Sequence, residues 1–462
     1  MSGVLQCART AAFPPSHLAH RLARRGSALG AHLMSAAQQP LGHYLRSLVA
    51  VAPARASTAL DVLLDVLARH LEAKGRRDAD LWCDALMQTP VIQQADHASL
   101  LLDRETMLNN VLFALGAQSG HIARAITIQC SSVSCIARRH PYQGPPFLRT
   151  RNSLYNVFGL APRRYAKAAF CELPGPVTMA FSPCGGASPL RDDALLGPLH
   201  GLASPSALEI FGAANASLWE ALGGRALVDI LFLDDRFSYE LAAAHLAMPA
   251  SALHRLVFDR RVRSTFLRIR EEAIERNAWG MAVMAKEPAF FWIRRACRFE
   301  PALVERQDGM QLSIRGVSGD GARYAVTPDS LPQLVAERCL IPTKMLIYFA
   351  RCLLPGIRAI GGTSQQDYLR HYQGLLLATH AETGLLGGDE LANASRTDLN
   401  GFGGAALVEP DASLDRVIAH AAGHVDWGGT FDRFIRKPLR QTIGELECAA
   451  YLIAPFAHGR TL

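Results

Sequence analysis

The sequence predicts an α/β protein, and three observations point to this class. Strand-like and helix-like patterns alternate over residues 89–129, as in a βαβ unit of a parallel sheet. The same alternation returns over residues 344–379. Hydrophobic residues make up 49% and charged residues 19% of the 462 residues, an ordinary globular composition. We therefore expect a Rossmann-like parallel sheet core with helical additions and a small insertion that contains a β-hairpin.

The first half of the chain supplies the clearest elements. Ser57 is placed to cap an amphipathic helix, which ends at Gly75. Asp103 is placed to cap a helix over residues 104–117, between a short apolar strand and a second strand over residues 125–129. This order defines the predicted βαβ unit.

The second half begins with residues 206–285, which are mostly helical in pattern. Gly319-Asp320-Gly321 lies between two short strand-like segments, which predicts a hairpin. A helix over 344–353, a strand over 355–360 and a helix over 364–379 complete the α/β alternation.

The N-terminus differs in composition, because no acidic residue precedes Asp61 while arginines are frequent. Either an organelle transit peptide or translation that starts at Met34 explains this pattern. The predicted organisation has four parts: residues 1–35 as a disordered or non-native extension, 36–200 as the first part of the α/β core, 201–300 as a mostly helical insertion, and 301–462 as the second part of the core with C-terminal helices.

The bulk properties restrict the partners. The net charge of +7 is scattered, so we expect no nucleic-acid partner, and attraction of an anionic metabolite explains the charge. The apolar stretches are too short to span a bilayer, which predicts no membrane partner. Ten irregularly spaced cysteines fit reduced thiols in a cytoplasmic protein. A homodimer is left open.

Polar residues follow the first predicted strand, at the place where open α/β sheets bind ligands. Gln93 and Gln94 carry amides that both donate and accept hydrogen bonds, which suits a sugar or an amino acid. Asp96 and His97 follow them. The alternative interpretation is a loop whose polar residues only cap the next helix.

Gln129 and Cys130 end the second predicted strand. Cys130 is a candidate nucleophile with His97 or His140 as its base, or a buried structural thiol. A zinc site with Cys135 is not expected, because no second cysteine pair lies at ligand spacing.

A glycine pair lies in the second α/β segment. Gly361 and Gly362 allow backbone amides to approach an anion, and Thr363 or Ser364 is placed to cap the next helix. Neither a P-loop nor a dinucleotide-binding glycine motif occurs in the sequence.

A histidine pair near the C-terminus, His420 and His424, has metal-ligand spacing on a helix. The glutamate of the His-Glu-x-x-His motif is absent, so a polar helix end is the preferred interpretation and no metal is predicted.

Two of these segments together resemble the bacillithiol synthase family of cysteine-adding ligases. Pro90-Val-Ile-Gln-Gln-Ala95 matches a run after an early strand of that family, and Leu353-Leu-Pro-Gly-Ile-Arg-Ala-Ile-Gly-Gly362 followed by Tyr368 matches its C-terminal third. The acidic and histidine run of the family would fall at residues 129–132, where this chain has neither. The long coiled coil of the family is not evident.

The resemblance implies a ligase-like enzyme of specialised metabolism that uses ATP to join an amino acid, such as cysteine, to a small amine-bearing acceptor. The alternatives are a cysteine- or metal-dependent hydrolase or transferase, and a non-catalytic binding protein of the same fold. The candidate residues are His97, Asp96 and Cys130 for catalysis, Gln93, Gln94, Gln129, Asn109 and Tyr368 for substrate binding, and Gly361, Gly362, Thr363 and Ser364 for an anion or cofactor.

Overall fold

The computed structural model describes residues 28–36, 38–95, 99–102, 104–129, 146–149, 154–161, 168–173, 175–184, 196–278, 281, 284–317, 322–361 and 365–399. The helices in these ranges are α1 Ala28–Ser35, α2 Leu41–Val49, α3 Thr58–Ala73, α4 Ala79–Gln88, α5 Arg104–Ser119, α6 Ile210–Ala221, α7 Asp235–Ala247, α8 Ala252–Phe258, α9 Arg260–Glu275, α10 Ser330–Ala336, α11 Lys344–Tyr348, α12 Gln365–Thr383 and α13 Gly388–Arg396. The strands are β1 Val91–Ala95, β2 Arg124–Gln129, β3 Phe147–Arg149, β4 Leu154–Asn156, β5 Val177–Thr178, β6 Ser182–Pro183, β7 Ala203–Ser204, β8 Asp229–Asp234, β9 Phe291–Arg295, β10 Arg298–Asp308, β11 Gln311–Gly316, β12 Arg323–Val326, β13 Leu340–Pro342 and β14 Arg358–Gly361.

A four-stranded sheet forms the centre of the fold, in the order β14-β1-β2-β8. Each neighbouring pair is parallel. The predicted α/β class and the β1–α5–β2 unit are therefore confirmed. β8 lies inside residues 206–285, for which the sequence predicted mostly helix, so this strand was missed.

The two faces of the sheet are covered by two separate hydrophobic clusters. Ile92 and Ile126 belong to the cluster that includes side chains of α3, α4 and α7. Val91 and Ala125 belong to the other cluster, with side chains of α2, α5 and α6. Because successive strand residues point to opposite faces, Gln93 lies on the same face as Val91.

A second sheet, of five strands, has the order β12-β11-β10-β9-β13. β11 and β12 pair antiparallel, which confirms the predicted hairpin, although the glycines at its turn lie outside the described residues. The hairpin is part of a larger sheet than the small insertion that we expected, since β9 and β13 extend it through antiparallel pairing.

The helix boundaries follow from local chemistry. The Ser57 hydroxyl accepts a hydrogen bond from the Leu60 backbone N–H at 3.2 Å, and Gly75 adopts a φ of 74° after the helix, as the sequence predicted. The helix predicted over 344–353 is divided, because α11 continues into a π-helix, Phe349–Leu353. Arg351 of this π-helix is fully buried and donates to the Ser238 hydroxyl at 2.8 Å.

Among the described helices, none is long and apolar enough by itself to cross a membrane. α7 and α8 pass that test only as a pair, and they are bent by 69° relative to each other.

Two buried histidines make stability depend on pH. Burial lowers the pKa of both His245 and His371 to about 4, below the value of about 6.5 expected in the unfolded chain. The unfolded state therefore binds more protons, so stability is lost as the pH falls from 6.5 towards 4.

We expect each histidine to lower the free energy of unfolding by about 2 kcal/mol between pH 7.5 and pH 5. Urea unfolding of the wild type, His245→Gln and His371→Gln at both pH values measures this change. Each variant should lose about 2 kcal/mol less than the wild type over this range. An identical pH dependence in all three proteins would contradict the assignment.

Candidate functional site

The carboxyl ends of the four parallel strands lie at one edge of the sheet. Gln94 of β1 is in register with Gly361 of β14, Ala95 with Gln129 of β2, and Gln129 with Asp234 of β8. This is the edge at which open α/β sheets bind ligands. The predicted glutamines of β1 and β2 and the first glycine of the Gly-Gly pair therefore come to the same edge.

Gln93 is the most unusual residue at this edge. Its side chain has an exposed fraction of 0%, and neither its amide nitrogen nor its amide oxygen has a hydrogen-bond partner. A buried polar group without a partner costs about 1–3 kcal/mol of stability. Such a cost in β1, two residues before its carboxyl end, is typical of a group that serves a ligand or ordered water.

Two polar side chains of β2 lie beside Gln93. Thr127 is the register neighbour of Gln93, and its buried hydroxyl has no partner. Gln129, two residues further along, points to the same face of the sheet. The Gln129 Nε2 atom donates to the Ser99 carbonyl at 3.3 Å, whereas Gln129 Oε1 has no partner.

Helix α5 covers this face and adds two asparagines. α5 packs against β1 and β2, and its amino-terminal half lies towards the carboxyl ends of the strands, as in any βαβ unit. Asn109 and Asn110 are both buried, and the Oδ1 atom of each has no partner. Asn110 Nδ2 donates to the Thr106 carbonyl at 2.8 Å. We call Gln93, Thr127, Gln129, Asn109 and Asn110 the polar face.

Asn215 of α6 fixes the chain after β1. Its Oδ1 atom accepts from the Leu101 backbone N–H at 2.7 Å, and its Nδ2 atom donates to the Ser99 carbonyl at 2.9 Å. The Ser99 hydroxyl also bonds to the Thr106 hydroxyl. The Ser99 carbonyl thus accepts from both Asn215 and Gln129, which links α6 to the polar face.

The charged groups at the end of β8 are occupied with one another. Asp234 Oδ1 accepts from the Arg236 backbone N–H at 3.0 Å and caps α7. Asp234 Oδ2 forms an ion pair with Lys74 Nζ at 2.6 Å.

Gln365, the first residue of α12 after β14, has an exposed fraction of 2%, and both of its amide atoms lack partners.

Tyr368, which we predicted to bind substrate, lies in a group of tyrosines. Its hydroxyl is 3.1 Å from the Tyr348 hydroxyl, its ring is 5.6 Å from that of Tyr372, and Lys344 Nζ lies 4.8 Å from its ring centroid. This group packs against the cluster on the face of Ile92. Tyr368 is therefore on the side of the sheet opposite the polar face.

Several predicted residues lie outside the described residues. They are Asp96, His97, Cys130, Cys135, His140, Gly362, Thr363, Ser364, His420 and His424. Gln94 belongs to β1 and Gly361 ends β14, whereas the sequence placed both residues just after their strands.

Sequence reasoning missed Thr127, Asn110, Asn215 and Gln365. Thr127 and Gln129 alternate with apolar residues in β2, so a polar stripe with period two on one face was the available signal. Asn215 and Gln365 carry no such signal, because their importance depends on contacts or burial that only the tertiary structure defines.

The described residues provide little for a charged cofactor. They contain no group of three side chains suited to a metal ion. The triphosphate of ATP requires cations or free backbone amides. Lys74 is engaged by Asp234, and the predicted anion loop from Gly362 to Ser364 lies outside the described residues. The polar face itself is uncharged, so it does not fit a triphosphate.

A void of about 10 Å³ lies at the opposite, amino end of β1 and β2, among mostly apolar side chains that include Phe113 and Ile122. It is large enough for at most about one water molecule. This void is therefore unsuited to a metabolite, and the polar face is the better candidate.

No protein-family model, curated protein or solved structure matches the chain. The features that point to a function are the chain's own: an α/β fold and an uncharged polar face near the carboxyl edge of a parallel sheet.

Proposed function

We propose that this chain is an enzyme of small-molecule metabolism that binds a polar metabolite over the polar face. One observation carries the proposal, namely that the amide of Gln93 is completely buried and has no partner. The chain tolerates this cost at the sheet edge where α/β enzymes bind ligands. A metabolite that satisfies the amide explains both the burial and the location.

The reaction that we propose is ligase-like, the joining of an amino acid to a small amine-bearing acceptor on a Rossmann-like core. This part depends on the resemblance to the bacillithiol synthase family, which also implies ATP as the activator of the carboxylate. Gln93 would hold a reactant, and Asp96 and His97 would move the proton that leaves the attacking amine. No residue of the polar face is assigned to the nucleotide.

The purified full chain with ATP, the common amino acids and a panel of small amines tests this function. We expect release of phosphate or pyrophosphate that depends on both reactants, and a loss of about 10-fold or more in Gln93→Leu, because two hydrogen bonds to the reactant disappear. A matched control is Gln373→Leu, whose amide lies on α12 and donates to the Ala394 carbonyl at 2.7 Å. No nucleotide turnover with any mixture would overturn the ligase proposal.

The same experiment separates the other two functions. A ligand that stabilises the protein without being turned over indicates a non-catalytic binding protein. Turnover that needs no nucleotide and is lost in Cys130→Ala indicates a thiol-dependent hydrolase or transferase. Neither is proposed, because no described contact favours it.

A further inference from the structure

Two amides of the polar face have an orientation that their neighbours determine. Asn110 Nδ2 lies 2.8 Å from the Thr106 carbonyl, and Gln129 Nε2 lies 3.3 Å from the Ser99 carbonyl. A backbone carbonyl only accepts hydrogen bonds, so the amide nitrogen must point towards it in both cases. The exchange of nitrogen and oxygen that often leaves amides ambiguous is thus excluded.

The atoms left without partners are therefore identified as acceptors. Asn110 Oδ1 and Gln129 Oε1 are buried carbonyl oxygens, and each has no hydrogen-bond partner. Thr127 Oγ1 and the amide of Gln93 lie on the same face of the sheet as Gln129, and both groups can donate and accept. A group that fills this face must bring N–H or O–H donors. Carboxylate ions only accept, so these oxygens repel them.

The lack of charge on the polar face further restricts which chemical group of a ligand can bind there. The residues of the polar face are uncharged, and the nearby Asp234 carboxylate at the end of β8 is neutralised by Lys74 at 2.6 Å. Among the described residues no counter-charge belongs to this face, and transferring an ion into such a buried site costs far more than neutral hydrogen bonds return. A protonated amine is therefore disfavoured as well, although it carries donors.

We propose that the polar face is the subsite for an uncharged group that donates hydrogen bonds, either a hydroxyl or a primary carboxamide. This inference specifies the substrate chemistry of the site proposed above, and it excludes the carboxylate, the phosphate and the ammonium of a reactant from this face. The charged parts of that reactant bind elsewhere along the sheet edge.

Small probes of matched shape test the subsite on the full chain. Acetamide and acetate have nearly the same shape but differ in charge and in the presence of N–H donors. myo-Inositol represents hydroxyl donors, and methylammonium and inorganic phosphate represent the two signs of charge. Saturation-transfer NMR at equal millimolar concentrations measures binding of each probe to the wild type, Thr127→Val, Asn110→Leu and a control, Ser217→Ala, which changes an exposed side chain of α6.

We expect acetamide or myo-inositol to bind, and the stronger of the two identifies the source of the donor. Thr127→Val and Asn110→Leu should weaken that probe by roughly 2- to 10-fold each, the effect of one lost hydrogen bond, whereas Ser217→Ala should not. Thr127→Val removes only a hydroxyl from a buried strand, so it keeps the shape of the side chain.

Three results would overturn the subsite. The first is that acetate, phosphate or methylammonium binds as strongly as the uncharged donors. The second is that the uncharged donors bind all four proteins equally. The third is a crystal structure soaked in acetamide or myo-inositol in which only water contacts Asn110 Oδ1 and Gln129 Oε1. Because binding is measured without turnover, this test is separate from that of the ligase. If the protein binds acetamide at this face but never consumes ATP, the subsite proposal is supported and the ligase proposal is overturned.

Discussion

Replacing Gln93 with leucine is expected to raise the free energy of unfolding of the ligand-free protein by about 1–3 kcal/mol. Most substitutions of fully buried residues lower stability, so the expected sign is opposite to the usual one. Leucine has nearly the same volume as glutamine but carries no polar atoms. The penalty for the two unpartnered amide atoms therefore disappears while the packing between the sheet and α5 is kept.

Urea unfolding of wild type, Gln93→Leu and Gln373→Leu measures the effect. The Gln373 amide donates to the carbonyls of Ala394 and Thr397, at 2.7 and 3.3 Å, so its replacement should lower stability by about 1 kcal/mol or more. Opposite signs for the same chemical change would show that Gln93 is maintained for function at a cost in stability. A Gln93→Leu variant that is less stable than wild type would indicate that ordered water already satisfies the amide.

The sequence was most informative about the sheet where strand and helix patterns alternate. β1 and β2 are short strands that begin with apolar residues or contain them, on either side of one helix, so their pairing follows from local order. β8 was missed because the apolar run of Asp229–Asp234 lies between two helices, and periodicity alone does not distinguish a short buried strand from a buried helix. Its strand structure depends on pairing with β2, about 100 residues earlier.

The candidate site also has features that the sequence predicts and features that it does not. Gln93 and Gln129 were predictable because polar residues at the end of an apolar strand lie at the edge of a parallel sheet. The fact that their amides are buried without partners was not predictable, since it depends on α5 closing over them. Asn215 was not predictable either, because the groups it binds are more than 100 residues away in the chain.

Replacing Asn215 with alanine is expected to lower the free energy of unfolding by about 2–4 kcal/mol. The substitution leaves the Leu101 backbone N–H without its acceptor and removes one of the two donors to the Ser99 carbonyl. Because Gln129 donates to the same carbonyl, freeing this segment also releases the Gln129 side chain from its fixed orientation. The affinity of Asn215→Ala for uncharged donors should therefore fall by more than partial unfolding of the variant alone would cause.

Two measurements separate the loss of stability from the loss of affinity. Thermal unfolding measures the first, and probe binding to the folded protein, well below the melting temperature, measures the second. Ser217→Ala on the same helix is the control, and its effect on stability should stay within about 0.5 kcal/mol because its side chain is exposed. If Asn215→Ala lowers stability but binds acetamide or myo-inositol as the wild type does, Asn215 only supports the fold. A parallel loss of stability and affinity would mean that α6 positions the acceptor oxygen of Gln129 through the shared Ser99 carbonyl, so that a residue with no contact to the ligand determines its affinity.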